Sequence, residues 1–114
     1  MATKIDIARI TNTPFCVAID DGNVLHEHIA NRITAGDTAI VSFSGVRRLT
    51  TAFLNAAIGQ LYNEYSEEQI RSGLEIVDAT QDQLRLIKRV VENAKKFFSD
   101  PDRGHQILKD LNGE

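Results

Sequence analysis

The sequence predicts one α/β domain in which helices return between the strands of a mixed β-sheet. Three observations predict it: a length of 114 residues, four short apolar runs of strand length, and longer segments of helical periodicity between them. The apolar content of 42% and the charged content of 25% are those of a globular protein. We place the domain at residues 1–100 and a tail at 101–114, where one further short helix is one interpretation.

The first twenty residues predict a β-hairpin. Ile5 and Ile7 alternate with polar neighbours, as in a half-buried strand. The segment 11–14 contains a proline and predicts a turn, and the apolar run 15–19 follows it as a second strand. We expect these two strands to pair antiparallel.

The next segments predict a helix and then the central strand. Either Asp20 or Asp21 can cap a helix that continues to about Ile33. Its core-facing residues are four apart: Leu25, Ile29 and Ile33. The apolar segment 38–43 is the predicted centre of the sheet.

The second half of the chain predicts two helices around one strand. A helix from Thr51 to Tyr65 places Phe53 on its inward arc, and a polar connection at 66–73 leads to a strand at 74–77. A strongly amphipathic helix follows at 81–98. The predicted order is β-β-α-β-α-β-α, with parallel strand pairs and right-handed crossovers where helices return.

Charge and cysteine content exclude several classes of protein. A net charge of −3 and a pI near 5.6 argue against nucleic acid as a partner. The single Cys16 permits no intrachain disulfide. The sequence has neither a signal-peptide pattern at its start nor an apolar stretch of about 20 residues, so we predict the cytoplasm and no membrane span.

No group of residues predicts catalysis. His26 and His28 are two apart and fall on different sides of a helix, whereas a helical metal site favours spacing of four. Cys16 lies within an apolar run and is typical of a buried small side chain. The adjacent carboxylates at 20–21 and 67–68 suit caps or solvated charges. We therefore predict no enzyme activity, no metal and no cofactor.

The loop between the central strand and the next helix contains two arginines and two threonines. Arg47 and Arg48 precede a helix N-terminus, where an anion could bind, although two solvent-exposed arginines are the simpler interpretation. Thr50 and Thr51 are candidate N-caps.

The predicted outer face of the helix at 51–65 has no charged residue. Small and neutral side chains on a helix suggest close approach by another backbone. That backbone is either a partner protein or another part of this chain, with 103–114 as one candidate. The residues of this face, which are the candidate partner contacts, are Ala52, Asn55, Ala56, Gly59, Gln60 and Asn63.

The segment 41–55, VSFSGVRRLTTAFLN, resembles the STAS-like domains of unknown function. In that family a central strand, an "sFsGV" loop and a "T-x-FLN" helix start recur. The segments 56–62 and 88–95 are similar to the same family, so the resemblance extends over about 4–100. The STAS domains of anti-sigma-factor antagonists are more distantly similar.

Those antagonists bind an ATP-dependent anti-sigma kinase through the loop and helix after a central strand. Phosphorylation of a serine in an Asp-Ser-Ser-Gly loop releases the complex. The corresponding segment here is 50–53, and the serine position falls on Ala52, which has no hydroxyl. The resemblance leaves Thr51, and next to it Thr50, as substitute candidates for phosphorylation.

The resemblance implies a regulatory protein-interaction module that switches partners with a histidine-kinase-like ATPase. Two other functions stay open. One is a small-ligand or nucleotide sensor that holds an anion with Arg47, Arg48 and the helix start at Thr51. The other is a homo-oligomeric structural component, such as a homodimer, that associates through the uncharged face.

Overall fold

The computed structural model describes residues 1–99 as an α/β fold with two small parallel sheets. The strands are β1 (Ala2–Asp6), β2 (Phe15–Cys16), β3 (Thr38–Ser42), β4 (Arg48–Leu49) and β5 (Leu74–Val77). The helices are α1 (Ile7–Ile10), α2 (Ile19–Thr34), α3 (Thr51–Leu54), α4 (Leu61–Glu64), α5 (Glu67–Gly73) and α6 (Gln81–Ser99). A π-helical turn, Asn55–Gly59, lies between α3 and α4.

The main sheet has the order β1-β3-β5, and both strand pairs are parallel. Val41 of β3 is paired with Ile5 on one side and with Ile76 on the other. Ala39, Val41 and Ser42 are buried, as expected for a strand with neighbours on both edges. The predicted α/β class and the central position of the segment after Thr38 are confirmed.

The predicted N-terminal hairpin is wrong, and so is the mixed sheet that it implied, because the three strand pairs within residues 1–99 are all parallel. β1 pairs in parallel with β3, and β2 pairs with β4 in a separate sheet. After β1 the chain enters α1, and Asn12 adopts a positive φ of 57° in the following turn. Parallel pairing with β3 buries Ile5 in the main core, so the alternation at the start of the chain reports a strand but not its partner.

The segment 66–73, predicted as a polar connection, contains the helix α5. Ser66 Oγ accepts a hydrogen bond from Gln69 N at 3.1 Å, and Gln69 Oε1 accepts one from Ser66 N at 2.8 Å. This capping box satisfies backbone donors at the helix start. Ile70 is buried beneath an otherwise polar surface, and this single core residue explains why periodicity did not reveal the helix.

The two long helices agree with the prediction, but the cap of α2 does not. Its N-cap is Ala18, which makes no side-chain capping bond, and Asp20 and Asp21 lie inside the first turn. Carboxylates in a first turn still interact favourably with the helix dipole. In α6, Thr80 Oγ1 accepts from Gln83 N at 3.1 Å, so a threonine caps this helix.

The helical segment 51–64 packs against both α2 and α6. Phe53 is fully buried on its inward side, as predicted. Gly22 of α2 makes a close approach, because a Cβ at this position would lie 2.6 Å from Phe53 O and 2.8 Å from Ala56 Cβ. A glycine at the fourth residue of α2 therefore lets two helices meet backbone to backbone.

The predicted short helix in the tail at 101–114 lies outside the described residues. Among the helices of residues 1–99, none is long and apolar enough to cross a membrane.

Candidate functional site

The loop after β3 is fixed by hydrogen bonds at the carboxyl end of the main sheet. Ser42 Oγ donates to Asp78 Oδ2 at 2.7 Å and accepts from Ser44 N at 3.2 Å. Val46 N donates to Phe43 O at 3.1 Å and closes a turn in which Gly45 has a φ of 80°. A positive φ at the third residue of a turn favours glycine. These contacts direct the chain from the central strand to β4 and the start of α3.

The two threonines at the helix start have different roles. Thr50 Oγ1 accepts from Phe53 N at 3.2 Å and donates to Val17 O at 3.3 Å, so its hydroxyl caps α3 and ties it to the segment before α2. Thr51 is exposed, and its hydroxyl makes no hydrogen bond within residues 1–99. Of the two candidates for phosphorylation, Thr51 is the accessible one.

Arg47 and Arg48 are both exposed, and neither forms an ion pair with another described residue. The loop uses its own backbone donors internally. Arg47 N donates to Pro14 O at 2.8 Å, and Thr50 N donates to Cys16 O at 3.1 Å. Since these amides and Phe53 N already have acceptors, an anion at this position would depend mainly on the side chains.

The predicted uncharged face is only partly at the surface. Ala52, Asn55, Gln60 and Asn63 are exposed. The prediction that Ala56 and Gly59 also face outward is wrong, because Ala56 is 8% exposed and Gly59 is buried. Ala56 packs against Gly22 of α2, and a Cβ at Gly59 would lie 3.7 Å from Val90 of α6. Two helices of the same chain cover this part of the face.

Three of the four exposed residues of the face, Ala52, Asn55 and Gln60, line a groove of about 550 Å³ between α2 and the helical segment 51–64, whereas Asn63 lies outside it. The residues of α2 in this groove were not predicted, although a glycine inside an amphipathic helix was a signal of close packing there. The side chains at the mouth of the groove, in chain order, are Ile19, Asn23, His26, Ala52, Asn55 and Gln60. We call this set the groove surface.

A contact between His26 and Glu64 lies at the groove. His26 Nε2 lies 2.8 Å from Glu64 Oε2, and its Nδ1 lies 3.2 Å from Ala57 O. His26 thus joins α2 to both the π-helical turn and α4. His28 is exposed and takes no part in this contact. Apart from this pair, the side chains that line the groove are uncharged.

A second exposed feature lies beside the helix start and was not predicted. Phe15, Val17 and Ile19 are exposed, and Cys16 between them is fully buried. We call these three residues the apolar row. Because every residue from 15 to 19 is apolar, the sequence pattern could not show that Cys16 is buried while the residues on either side face solvent.

The described residues include one thiol and several His, Asp and Glu side chains. Burial raises the pKa of the Cys16 thiol to about 11, so the reactive thiolate is suppressed at neutral pH. Within residues 1–99, no three His, Cys, Asp or Glu side chains are grouped so that they could hold a metal ion. The exposed groove surface and apolar row present apolar atoms, amides and one histidine.

Comparison with known protein families gave a match over the middle of the chain. Residues 21–84 match the family described as a STAS-like domain of unknown function. No curated protein and no solved structure matched the chain. The matched segment contains α2 except its first two residues, the central strand, the loop with both arginines and the helical segment that lines the groove. Since the match covers more than half of the 114 residues, the chain belongs to the STAS-like domain family.

Proposed function

We propose that the chain is a cytoplasmic regulatory module that binds another protein through the groove surface. The observation that carries the proposal is an exposed and largely uncharged groove at the helix that follows the central strand. An interface with few charges costs little desolvation energy. The free thiol of Cys16 is consistent with a reducing compartment.

The distant similarity to anti-sigma-factor antagonists supports a particular kind of partner. In those proteins the corresponding loop and helix bind an ATP-dependent kinase. We therefore propose a histidine-kinase-like ATPase as the partner and no catalytic step in this chain. The exposed hydroxyl of Thr51 is the proposed acceptor of a regulatory phosphate.

The experiment compares Asn55→Arg with Asn31→Arg. Both change an exposed helical asparagine to a longer charged residue that favours a helix, but only Asn55 lines the groove. Extracts of cells that encode the chain are passed over each immobilised variant. We expect a protein that the parent and Asn31→Arg retain and that Asn55→Arg retains at least roughly tenfold less, a loss typical for a central interface residue.

Equal retention of the partner by the parent, Asn31→Arg and Asn55→Arg would count against binding at the groove surface, provided that their melting temperatures agree.

Thr51→Glu tests the proposed regulatory phosphate in the same assay. A negative charge near a helix N-terminus is compatible with the fold, so reduced retention with unchanged melting would support a switch at this residue. Retention equal to that of the parent would exclude it.

A further inference from the structure

The apolar row runs from β2 to the first residue of α2 and is exposed to solvent. Phe15, Val17 and Ile19 keep 50%, 41% and 58% of their surface exposed. Alternate residues of an extended backbone point to the same side, and Ala18 before α2 is still extended, with φ −86° and ψ 139°. At about 3.3 Å per residue the row is about 13 Å long. A row of three large exposed apolar side chains is unusual on a protein surface without a binding role.

The two ends of the apolar row carry opposite charges. Phe15 is the register partner of Arg48 in the small sheet, and Arg47 precedes Arg48. At the other end Ile19 is followed by Asp20 and Asp21 in the first turn of α2. None of these four charged residues forms an ion pair with another described residue, so the fold itself does not neutralise either end.

We infer that the apolar row binds the same row of a second copy of the chain, with the two rows antiparallel. In this arrangement the arginines of one copy face the aspartates of the other, and Val17 lies next to its own counterpart at a two-fold axis. A two-fold interface requires a surface that complements itself, and an apolar centre between opposite charges has this property. A uniformly basic border would instead favour an acidic partner of another kind.

The free energy of association and the antiparallel orientation of the two rows come from different residues. Removal of the three apolar side chains from water drives association. The charges at the ends oppose a parallel arrangement, because it would place like charges together. Ile19 belongs to both the apolar row and the groove surface. Asn55, whose variant tests the groove, lies outside the row, so the two proposals are tested at different residues.

The first test changes the centre of the row. Sedimentation equilibrium of the full chain over about 1 μM to 1 mM covers the range of weak dimers. Parent protein should show a dimer, and Val17→Asp should raise the dimer Kd at least roughly tenfold, since a buried unpaired charge opposes association. The control is Val24→Asp, at a valine that is 38% exposed and outside the row, and its Kd should stay close to that of the parent.

The second test reverses the charges at the ends. Arg48→Asp and Asp20→Arg should each raise the Kd, by roughly tenfold for charge pairs that face one another. The double variant restores opposite charges across the axis, so its Kd should return towards that of the parent. Such recovery is specific to an antiparallel pair of identical rows.

A third measurement uses the symmetry axis. Val17→Cys should form a disulfide-linked dimer under mild oxidation, whereas Val24→Cys should not, and Cys16 is buried in both.

A parent chain that is monomeric over the whole concentration range overturns the inference, as does a dimer whose Kd is unchanged by Val17→Asp. The inference is also overturned if the Kd of the double variant stays as high as the Kd of the single charge variants. These outcomes leave the Asn55→Arg comparison unaffected, so each proposal fails separately.

Discussion

Two glycines on neighbouring helices face different surroundings, although both lie in helical backbone. A Cβ at Gly22 would meet the backbone oxygen of Phe53 at 2.6 Å, and neither atom can move without shifting a helix. A Cβ at Gly59 would meet Asn55 Oδ1 at 3.3 Å, and that atom is the end of a flexible side chain. Gly22 is therefore required for packing, whereas Gly59 is not.

We predict opposite effects of alanine at these two glycines. Gly22→Ala should lower the free energy of unfolding by about 1–3 kcal/mol, because an overpacked contact forces the helices apart. Gly59→Ala should leave it unchanged or raise it by up to about 1 kcal/mol, the usual advantage of alanine over glycine in a helix. Urea denaturation of both variants provides the measurement. A stabilised Gly22→Ala protein would contradict the close approach of α2.

The same residues show how much of the candidate site the sequence could predict. The small side chain of Ala56 correctly indicated that another backbone comes close, but the sequence could not show that it is the backbone of α2 at Gly22. At Gly59 the neighbour from another helix is the side chain of Val90 in α6. Helix periodicity places residues around one axis and contains no information about which neighbours surround it. Asn55 and Ala52 are exposed, as predicted, because no other element within residues 1–99 covers them.

At the scale of the elements, strands and amphipathic helices were predictable and their partners were not. The central strand at 38–42 and the helix at 81–99 have strong patterns, and both were found. The prediction of an N-terminal hairpin was wrong because the residues of β1 pair with residues of β3 that are 36 positions later in the sequence. No local sequence signal encodes this pairing. The helix α5 has one buried apolar residue, Ile70, and gives little periodicity.

The N-cap of α3 provides a prediction about how much one hydroxyl group stabilises this helix. Thr50→Ala removes a hydroxyl that accepts from Phe53 N and donates to Val17 O, so it should cost about 1 kcal/mol of stability, the usual contribution of an N-cap. Thr51→Ala is the matched control, since its exposed hydroxyl makes no bond among the described residues. We expect a change within about 0.5 kcal/mol for it. Equal losses in thermal or urea denaturation would show that Thr50 is not the cap.

At the scale of the whole molecule, one core joins residues from both ends of the described chain. The buried cluster contains Ile5 of β1, Val41 of β3 and Val90 of α6. Such a core favours unfolding of residues 1–99 as a single cooperative unit. The groove surface and the apolar row lie outside this core, so variants there can change binding without unfolding the protein.

Asp37 joins β1 to the rest of the fold through a hydrogen bond from Thr3. From its contacts we predict how the free energy of unfolding depends on pH. Thr3 Oγ1 donates to Asp37 Oδ2 at 2.7 Å, Thr38 N donates to Oδ1 at 2.9 Å, and Arg32 lies 3.7 Å away. These contacts, the bond from Thr3 first, lower the pKa of Asp37 below its ordinary value of 3.8. The charged carboxylate is thus favoured in the folded state.

A lowered pKa stabilises the fold above the ordinary pKa of the carboxyl group, and this contribution is lost as the pH falls through the folded-state value. Asp37→Asn removes the charge that responds to acid. We therefore expect the variant to be less stable than the parent at pH 7, and the difference in urea midpoint to shrink between pH 5 and pH 2. Glu27→Gln is the control, because Glu27 is exposed and makes no ion pair within residues 1–99. If the difference between Asp37→Asn and the parent stays constant down to pH 2, Asp37 does not tie β1 to the rest of the fold through its charge.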